Sequence, residues 1–202
     1  MDNEKILEKI LQDPGFAPFI SGVNVFPERE GEYAPFPASL DPRLSGALTS
    51  RGVDRLYSHQ AEAFESIRGG SHTVIVTPTA SGKTMCYNLP VMQGLLEDGD
   101  ARALYLFPTK ALSQDQQSEI NSLVGGDVGQ SRIPLRVCIY DGDTPQSIRS
   151  DARDKGRIII SNPDMMHAGI LPNHPKWIRF FSNLKYIVID EMHMYRGIFG
   201  SH

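Results

Sequence analysis

"TPTASGKT" occupies residues 77–84, between the apolar run "TVIV" (73–76) and the helix-compatible segment "KTMCYNLPVMQGLLED" (83–98). A phosphate-binding loop follows the pattern G-x-x-x-x-G-K-[ST], and here Thr77 stands at the first glycine position. The groups that would meet a phosphate are all kept. Gly82 lets the backbone approach an anion, Lys83 brings a point charge for β- and γ-phosphate oxygens, and Thr84 offers a hydroxyl ligand for Mg²⁺. A strand before the loop and a helix after it would aim the loop N–H groups at that phosphate. A plain strand-to-helix turn can carry the same tripeptide, so the reading needs support from elsewhere in the chain.

Working outward, the runs "TVIV" (73–76), "ALYLF" (103–107), "RVCIY" (136–140), "RIIIS" (157–161) and "YIVID" (186–190) are β-branched or aromatic and nearly continuous. Continuous runs suit strands buried on both faces of a parallel sheet. Helix-compatible stretches such as "KALSQDQQSEINSL" (110–123) and "HPKWIRFFSNL" (174–184) lie between them, which is the rhythm of βαβ units. The expected fold is α/β: a P-loop domain with a mostly parallel sheet and helices on both faces. Residues 1–56 differ. A short amphipathic helix candidate (Glu4–Leu11) is followed by prolines at 14, 18, 27, 35, 37 and 42, a density that excludes long regular elements. Phe16, Phe19, Phe26, Tyr33 and Phe36 make this stretch too apolar for a free linker, so an ordered, irregular extension packing on the domain of residues 57–202 is expected.

Two further features converge on the loop. "VIDEMH" (188–193) places Asp190 and Glu191 at the end of the last apolar run, where a doubly wound sheet opens its ligand crevice. Asp190 would hold Mg²⁺, and Glu191 would orient or deprotonate the attacking water, because phosphoryl transfer depends on positioning and charge neutralisation. "LYSHQ" (56–60) adds Gln60, whose amide carries the acceptor and donors that match the N6 and N7 edge of adenine, selecting ATP over GTP.

Composition limits the alternatives. With 40% hydrophobic residues in 202, the chain can bury one well-formed core. Cys86 and Cys138 form neither a CxxC pair nor a disulfide framework, and no His/Cys group has zinc-ligand spacing. The charged N-terminus and the lack of an apolar run of ~18 to 20 residues argue against a signal peptide or membrane helix, so a reducing, cytoplasmic setting is expected. The net charge of −4 offers no global attraction for nucleic acid, so such a partner must be argued locally.

Taken together, "LYSHQAEAF", "TPTASGKTMCYNLP", "ALYLFPTKALSQDQ", "SNPDMMH" and "DEMHMYRGIFGSH" resemble superfamily 2 DEAD/DEAH-box helicases, and within them the MrfA-type family of bacterial DNA-repair helicases with their fungal relatives. The resemblance covers about residues 30 to 202; Met192 stands where valine is usual, leaving both carboxylates in place. It implies a first RecA-like motor domain, with ATP hydrolysis driving 3′-to-5′ movement on single-stranded DNA in repair. It puts ATP on Gln60, on Thr79, Ala80, Ser81, Gly82, Lys83 and Thr84, and on Asp190 and Glu191. It puts the DNA backbone on Pro108, Thr109 and Lys110, on Gly142, Asp143 and Thr144, and on Ser161, Asn162, Pro163 and Asp164. Hydroxyls and backbone N–H groups can hold phosphates without an overall basic surface. His193 would couple the two sites.

Because the family places a second RecA-like domain after the motif carrying Asp190, the expected lobe is C-terminally incomplete, short of a strand and of the second domain as partner. An RNA helicase lobe is chemically equivalent here, since no residue that would read a 2′-hydroxyl can be assigned. A P-loop transporter or kinase lobe would not need "FPTK" (107–110) or "SNPD" (161–164).

Overall fold

The computed structural model describes residues 3–24, 31–78, 81–125 and 133–197. It divides into two compact units, Met1–Gly31 and Glu32–His202. In the first, helix α1 (Asn3–Gln12) covers the expected amphipathic segment and is followed by a 3₁₀ turn, Ala17–Phe19.

The second unit begins with strand β1 (Tyr33–Ala34), helix α2 (Pro42–Thr49) and strand β2 (Leu56–Tyr57), which pairs antiparallel with β1. Asp41 caps α2 by accepting from the Arg43 N–H at 2.8 Å, and Pro42 sits where a missing N–H costs nothing. Leu44 and Leu48 of α2 are fully buried, so residues 32–56 contribute to the core of this unit. Helix α3 (Ser58–Arg68) leads into the loop, and α4 (Lys83–Glu97) follows it. The helix expected over 83–98 therefore forms even though Pro90 lies inside it. Pro90 removes one ladder bond, and nearly complete burial of Cys86 through Leu95 holds the helix regardless.

The main sheet contains β3 (Arg102–Leu106), β4 (Val137–Ile139), β5 (Ile158–Ser161) and β6 (Leu184–Ile189) in the order β4-β5-β3-β6, all parallel. Between them run α5 (Lys110–Gly125), α6 (Gln146–Lys155), the single turn α7 (Pro163–Met165) and α8 (Ile178–Ser182). Successive strand residues point to opposite faces. Ala103, Tyr105, Ile158 and Ile160 join a core with α2 to α5, whereas Leu104, Cys138 and Ile159 join a second core with Ala152, Trp177 and Phe180. Helices thus cover both faces, and the continuous apolar runs acquire their physical meaning. The parallel arrangement also brings the loops after all four strands to one side of the sheet.

Three elements depart from expectation. "TVIV" is extended but joins no ladder among the described residues, leaving Val74 77% and Val76 89% exposed. A continuous apolar run encodes readiness for burial on two faces, not the neighbour that must provide the hydrogen bonds. β6 is likewise an edge: Tyr186 and Val188 pack on the first core, but Ile187 and Ile189 are 59% and 47% exposed. The segment 174–184 is not one helix but a 3₁₀ stretch, Leu171–Trp177, followed by α8. Pro172 and Pro175 withhold the N–H groups that an α-helical ladder would need there.

Candidate nucleotide site and neighbouring loops

The loop between β2–α3 and α4 is held from behind. Gln60, the third residue of α3, is buried; its Oε1 accepts from the Tyr57 N–H at 3.0 Å and its Nε2 donates to the Gly82 carbonyl at 2.9 Å. One amide hydrogen and one oxygen lone pair remain for another partner. Gly82 has φ +72°, a conformation that favours glycine, and a Cβ there would stand 2.6 Å from Gln60 Nε2 and force that amide to shift. His59 Nε2 lies 3.0 Å from the Ser81 carbonyl, Ser81 Oγ lies 2.6 Å from Thr77 Oγ1, and Lys83 Nζ donates to the Thr77 carbonyl at 3.0 Å. Thr77, at the position where the general pattern has glycine, thus serves as a hydrogen-bond post for the loop. Thr79 and Ala80 lie outside the described residues.

Beside the loop is a cavity of about 470 Å³ whose lining includes Tyr33, Arg55, Tyr57, Gln60, Gly82 and Thr84. The β1–β2 register puts Tyr33 opposite Tyr57, with ring centroids 4.9 Å apart; Arg55 caps the Tyr33 ring at 4.0 Å, and Tyr57 stacks on His59 at 5.5 Å. Sequence reasoning found Gln60 here but missed Tyr33, Arg55 and Tyr57. Glu119 also borders the cavity, and burial holds its carboxyl above the usual range while Arg51 pulls the other way.

Asp190 continues β6 by donating its N–H to the Leu106 carbonyl at 3.1 Å. Glu191 then takes φ 50°, ψ 42°, the one left-handed non-glycine residue among the described residues. Such a conformation costs roughly 1 to 3 kcal/mol and turns the chain sharply off the strand. The Glu191 N–H donates to Asp190 Oδ1 at 2.8 Å, and Glu191 Oε2 lies 3.2 Å from His193 Nδ1.

Tyr87 joins this carboxylate to the helix of the loop. Its hydroxyl donates to Asp190 Oδ2 at 2.9 Å and lies 3.2 Å from the side-chain amide of Gln116 on α5. Burial first, then the Asp190 carboxylate, push the phenol pKa far up, while the Thr84 hydroxyl one turn earlier acts in the opposite direction. The phenol has one proton to donate. With the Gln116 amide turned so that Nε2 faces Tyr87, the phenol accepts from Gln116 and donates to Asp190, and the buried Gln116 Nε2 gains its partner. Thr84 and Asp190 therefore meet around one phenol and present a hydroxyl and a carboxylate, hard oxygen donors of the kind Mg²⁺ takes. Tyr87 was absent from the sequence reading, although its position three residues after Thr84 puts it on the same face of α4.

The remaining candidate residues lie on the loops after β3, β4 and β5. Thr109 opens α5, its Oγ1 accepting from the Leu112 N–H at 3.3 Å. Lys110 pairs with Asp143 of the β4 loop, an exposed contact that bridges two loops across β5 and raises the lysine pKa. Gly142, Asp143 and Thr144 form a turn in which the Asp141 carboxylate accepts from the Asp143 N–H at 3.0 Å and the Thr144 hydroxyl at 2.9 Å. After β5, Asn162 caps α7 by accepting from the Met165 N–H at 2.7 Å, with Pro163 and Asp164 in its single turn. Ser161 is buried and donates to the Tyr140 carbonyl at 2.7 Å. Across the sheet, Gly142 to Thr144, Asn162 to Asp164 and Pro108 to Lys110 follow in spatial order, with Asp190 and Glu191 beyond them.

Residues 57–202 match the family described as DEAD/DEAH box helicase. The ATP-dependent helicase YprA of Bacillus subtilis is 55% identical over 174 residues, covering 86% of this chain and 23% of its own length. The ATP-dependent helicase hrq1 of Schizosaccharomyces pombe is 38% identical over 206 residues, covering 98% of this chain and 19% of that protein. The crystal structure of the DUF1998 helicase MrfA bound to DNA and AMPPNP superposes with a TM-score of 0.79 at 54% identity, covering 86% of this chain and 24% of that one. The chain thus spans under a quarter of the length of these relatives. The likeness read from the motifs and the expected parallel α/β, RecA-like fold are borne out. No helix among the described residues is long and apolar enough to cross a membrane.

Proposed function

This chain belongs to the DEAD/DEAH box helicase family, and on that premise we propose that it forms the ATP-binding lobe of a DNA helicase that moves along single-stranded DNA. The observation that carries this reading is the grouping of Lys83, Thr84, Asp190 and Glu191 about Tyr87 and the loop, with the candidate backbone-binding loops on the same side of the sheet. A relative whose structure is described as bound to DNA and AMPPNP favours DNA over RNA. The 3′-to-5′ direction, a repair role and a second RecA-like domain facing this one are parts of the same reading.

In this account, the adenine enters the cavity bounded by Tyr33 and Tyr57, and Gln60 offers its remaining N–H and lone pair to the N7 and N6 edge. Lys83 leaves the Thr77 carbonyl for the β/γ-phosphate oxygens, while loop N–H groups surround the phosphate chain. Thr84 and Asp190 would hold Mg²⁺, which when bound would neutralise the developing phosphate charge. Glu191 accepts the proton of the attacking water, and its left-handed backbone turns the chain off the end of β6. His193, 3.2 Å from Glu191, links that carboxylate to the rest of the lobe. Thr109, Lys110, Gly142 to Thr144 and the backbone of Ser161 to Asp164 contact phosphates of the strand, giving affinity without sequence preference.

Titration with a fluorescent ATP analogue tests the assignment. Lys83→Ala should abolish binding and leave the circular dichroism spectrum unchanged, because Lys83 touches the loop carbonyl and not the core. Undiminished binding would remove Lys83, and the loop with it, from the site.

A further inference from the structure

A second cavity, of about 330 Å³, lies between α6 and the 165–177 segment, away from the nucleotide loop. Its lining includes Gln146, Arg149 and Arg153, which follow one another at i, i+3 and i+7 on one face of α6, and Lys176 from the opposite wall. No acidic side chain among the described residues lines it. We propose that this cavity holds a phosphodiester of the bound single strand, extending the nucleic-acid track beyond the β4 and β5 loops.

Three observations select a phosphate. First, the cations differ in how they are engaged. Arg149 is spent on structure: its guanidinium donates to the carbonyls of Thr144 at 2.9 Å and of Asp141 and Gly142 at 3.1 Å, shaping the turn of the β4 loop. Arg153 is three-quarters buried, at 22% side-chain exposure, yet its ion pair is a loose 3.9 Å contact with the neighbouring Asp154. A largely desolvated guanidinium with so weak a partner gains most from a charged, bidentate acceptor. Second, the aromatic floor cannot take a base. Trp177 is 1% exposed, and its ring makes edge contacts with Tyr140 at 4.7 Å and Phe180 at 5.5 Å. Third, the cavity is continuous with the proposed track, since Tyr140 directly precedes the turn at 141–144 and Met165 directly follows Asn162–Asp164. The proposal rests on the reading of those loops as a nucleic-acid surface.

The test uses the full-length protein and a fluorescein-labelled single-stranded oligodeoxythymidylate, with anisotropy read from 50 to 200 mM salt. Each phosphate neutralised on a single strand contributes about 0.7 to the slope of log affinity against log salt, so losing this one lowers the slope by about 0.7. Over this fourfold salt range, the advantage of the unmodified protein over the Arg153→Gln/Lys176→Gln variant should shrink by about 2.6-fold. The conservative Arg153→Lys variant should keep the original slope. Melting temperature monitors the fold, because a collapsed α6 would lower it in both variants. An unchanged slope in the double variant, beside a reduced slope for Lys110→Gln, would overturn this inference and leave the loop assignment standing. An unmodified protein that does not bind the oligonucleotide would overturn both.

Discussion

Removing the Tyr87 hydroxyl should weaken the fold and the carboxylate site together. Tyr87→Phe deletes a 2.9 Å hydrogen bond to an ionised acceptor, Asp190, inside a largely buried environment. Bonds to charged groups contribute about 1.5 to 3 kcal/mol, and a buried amide left without a partner costs about 1 to 3 kcal/mol more. The second loss falls on Gln116 when its amide is turned so that Nε2 donates to the phenol, because Nε2 has no other acceptor among the described residues. Against these stands the relief of no longer dehydrating a phenol hydroxyl. We expect a net destabilisation of about 1 to 3 kcal/mol, read by urea unfolding, with an unchanged dependence on denaturant. A double-mutant cycle with Asp190→Asn isolates the pair, and its coupling should be at least about 0.5 kcal/mol. A Tyr87→Phe variant as stable as the parent, or one whose cost is the same with Asp190 and with Asn at that position, would show that Tyr87 neither supports Asp190 nor links it to α5.

Gln60→Ala should erase the preference for ATP over GTP, measured by competition of the two nucleotides against a labelled analogue; a preference that persists would remove Gln60 as the adenine reader. In alkali, burial raises the phenols of Tyr87 and Tyr105 above the unfolded value of about 10, so their contribution is complete below pH 10 and is lost as pH rises toward the folded values. Each should cost about 1.4 kcal/mol of stability per pH unit above pH 10, with phenolate absorbance rising only as circular dichroism is lost. Free ionisation near pH 10 in a folded chain would contradict their burial. Cys86, whose thiol burial pushes up to about 11, should resist alkylation at neutral pH until urea unfolds the chain.

Much of the candidate site was legible because the residues proposed for its chemistry lie in contiguous segments. "SGKT", "DE" and the glutamine of "LYSHQ" each carry their candidate functional atoms within a few residues, and the parallel sheet brings the loops after its strands to one side. β3, β5 and α5 were legible for a related reason: burial on two faces, or a helix of ordinary length, leaves an unbroken local pattern. The hidden parts are those that need a partner. Tyr33 and Tyr57 become a stacked pair only through the β1–β2 register, and Tyr87 reads as one more core aromatic until its hydroxyl is seen to meet Asp190. "TVIV" shows the reverse, an apolar run with strand character whose pairing depends on a neighbour that the run itself does not specify.

The central claim concerns nucleic-acid-driven ATP turnover, and phosphate release by the full-length protein measures it. The account predicts low basal turnover, a marked rise with single-stranded DNA and a much smaller one with RNA of the same sequence, and loss of the rise in Glu191→Gln while the ATP analogue still binds. For the 202-residue chain alone it predicts almost no turnover, because an arginine supplied across the cleft is worth roughly 10³ to 10⁵ in rate in related NTPases. DNA-stimulated turnover by the isolated chain, or turnover in the full-length protein that ignores both DNA and the Glu191→Gln change, would contradict it.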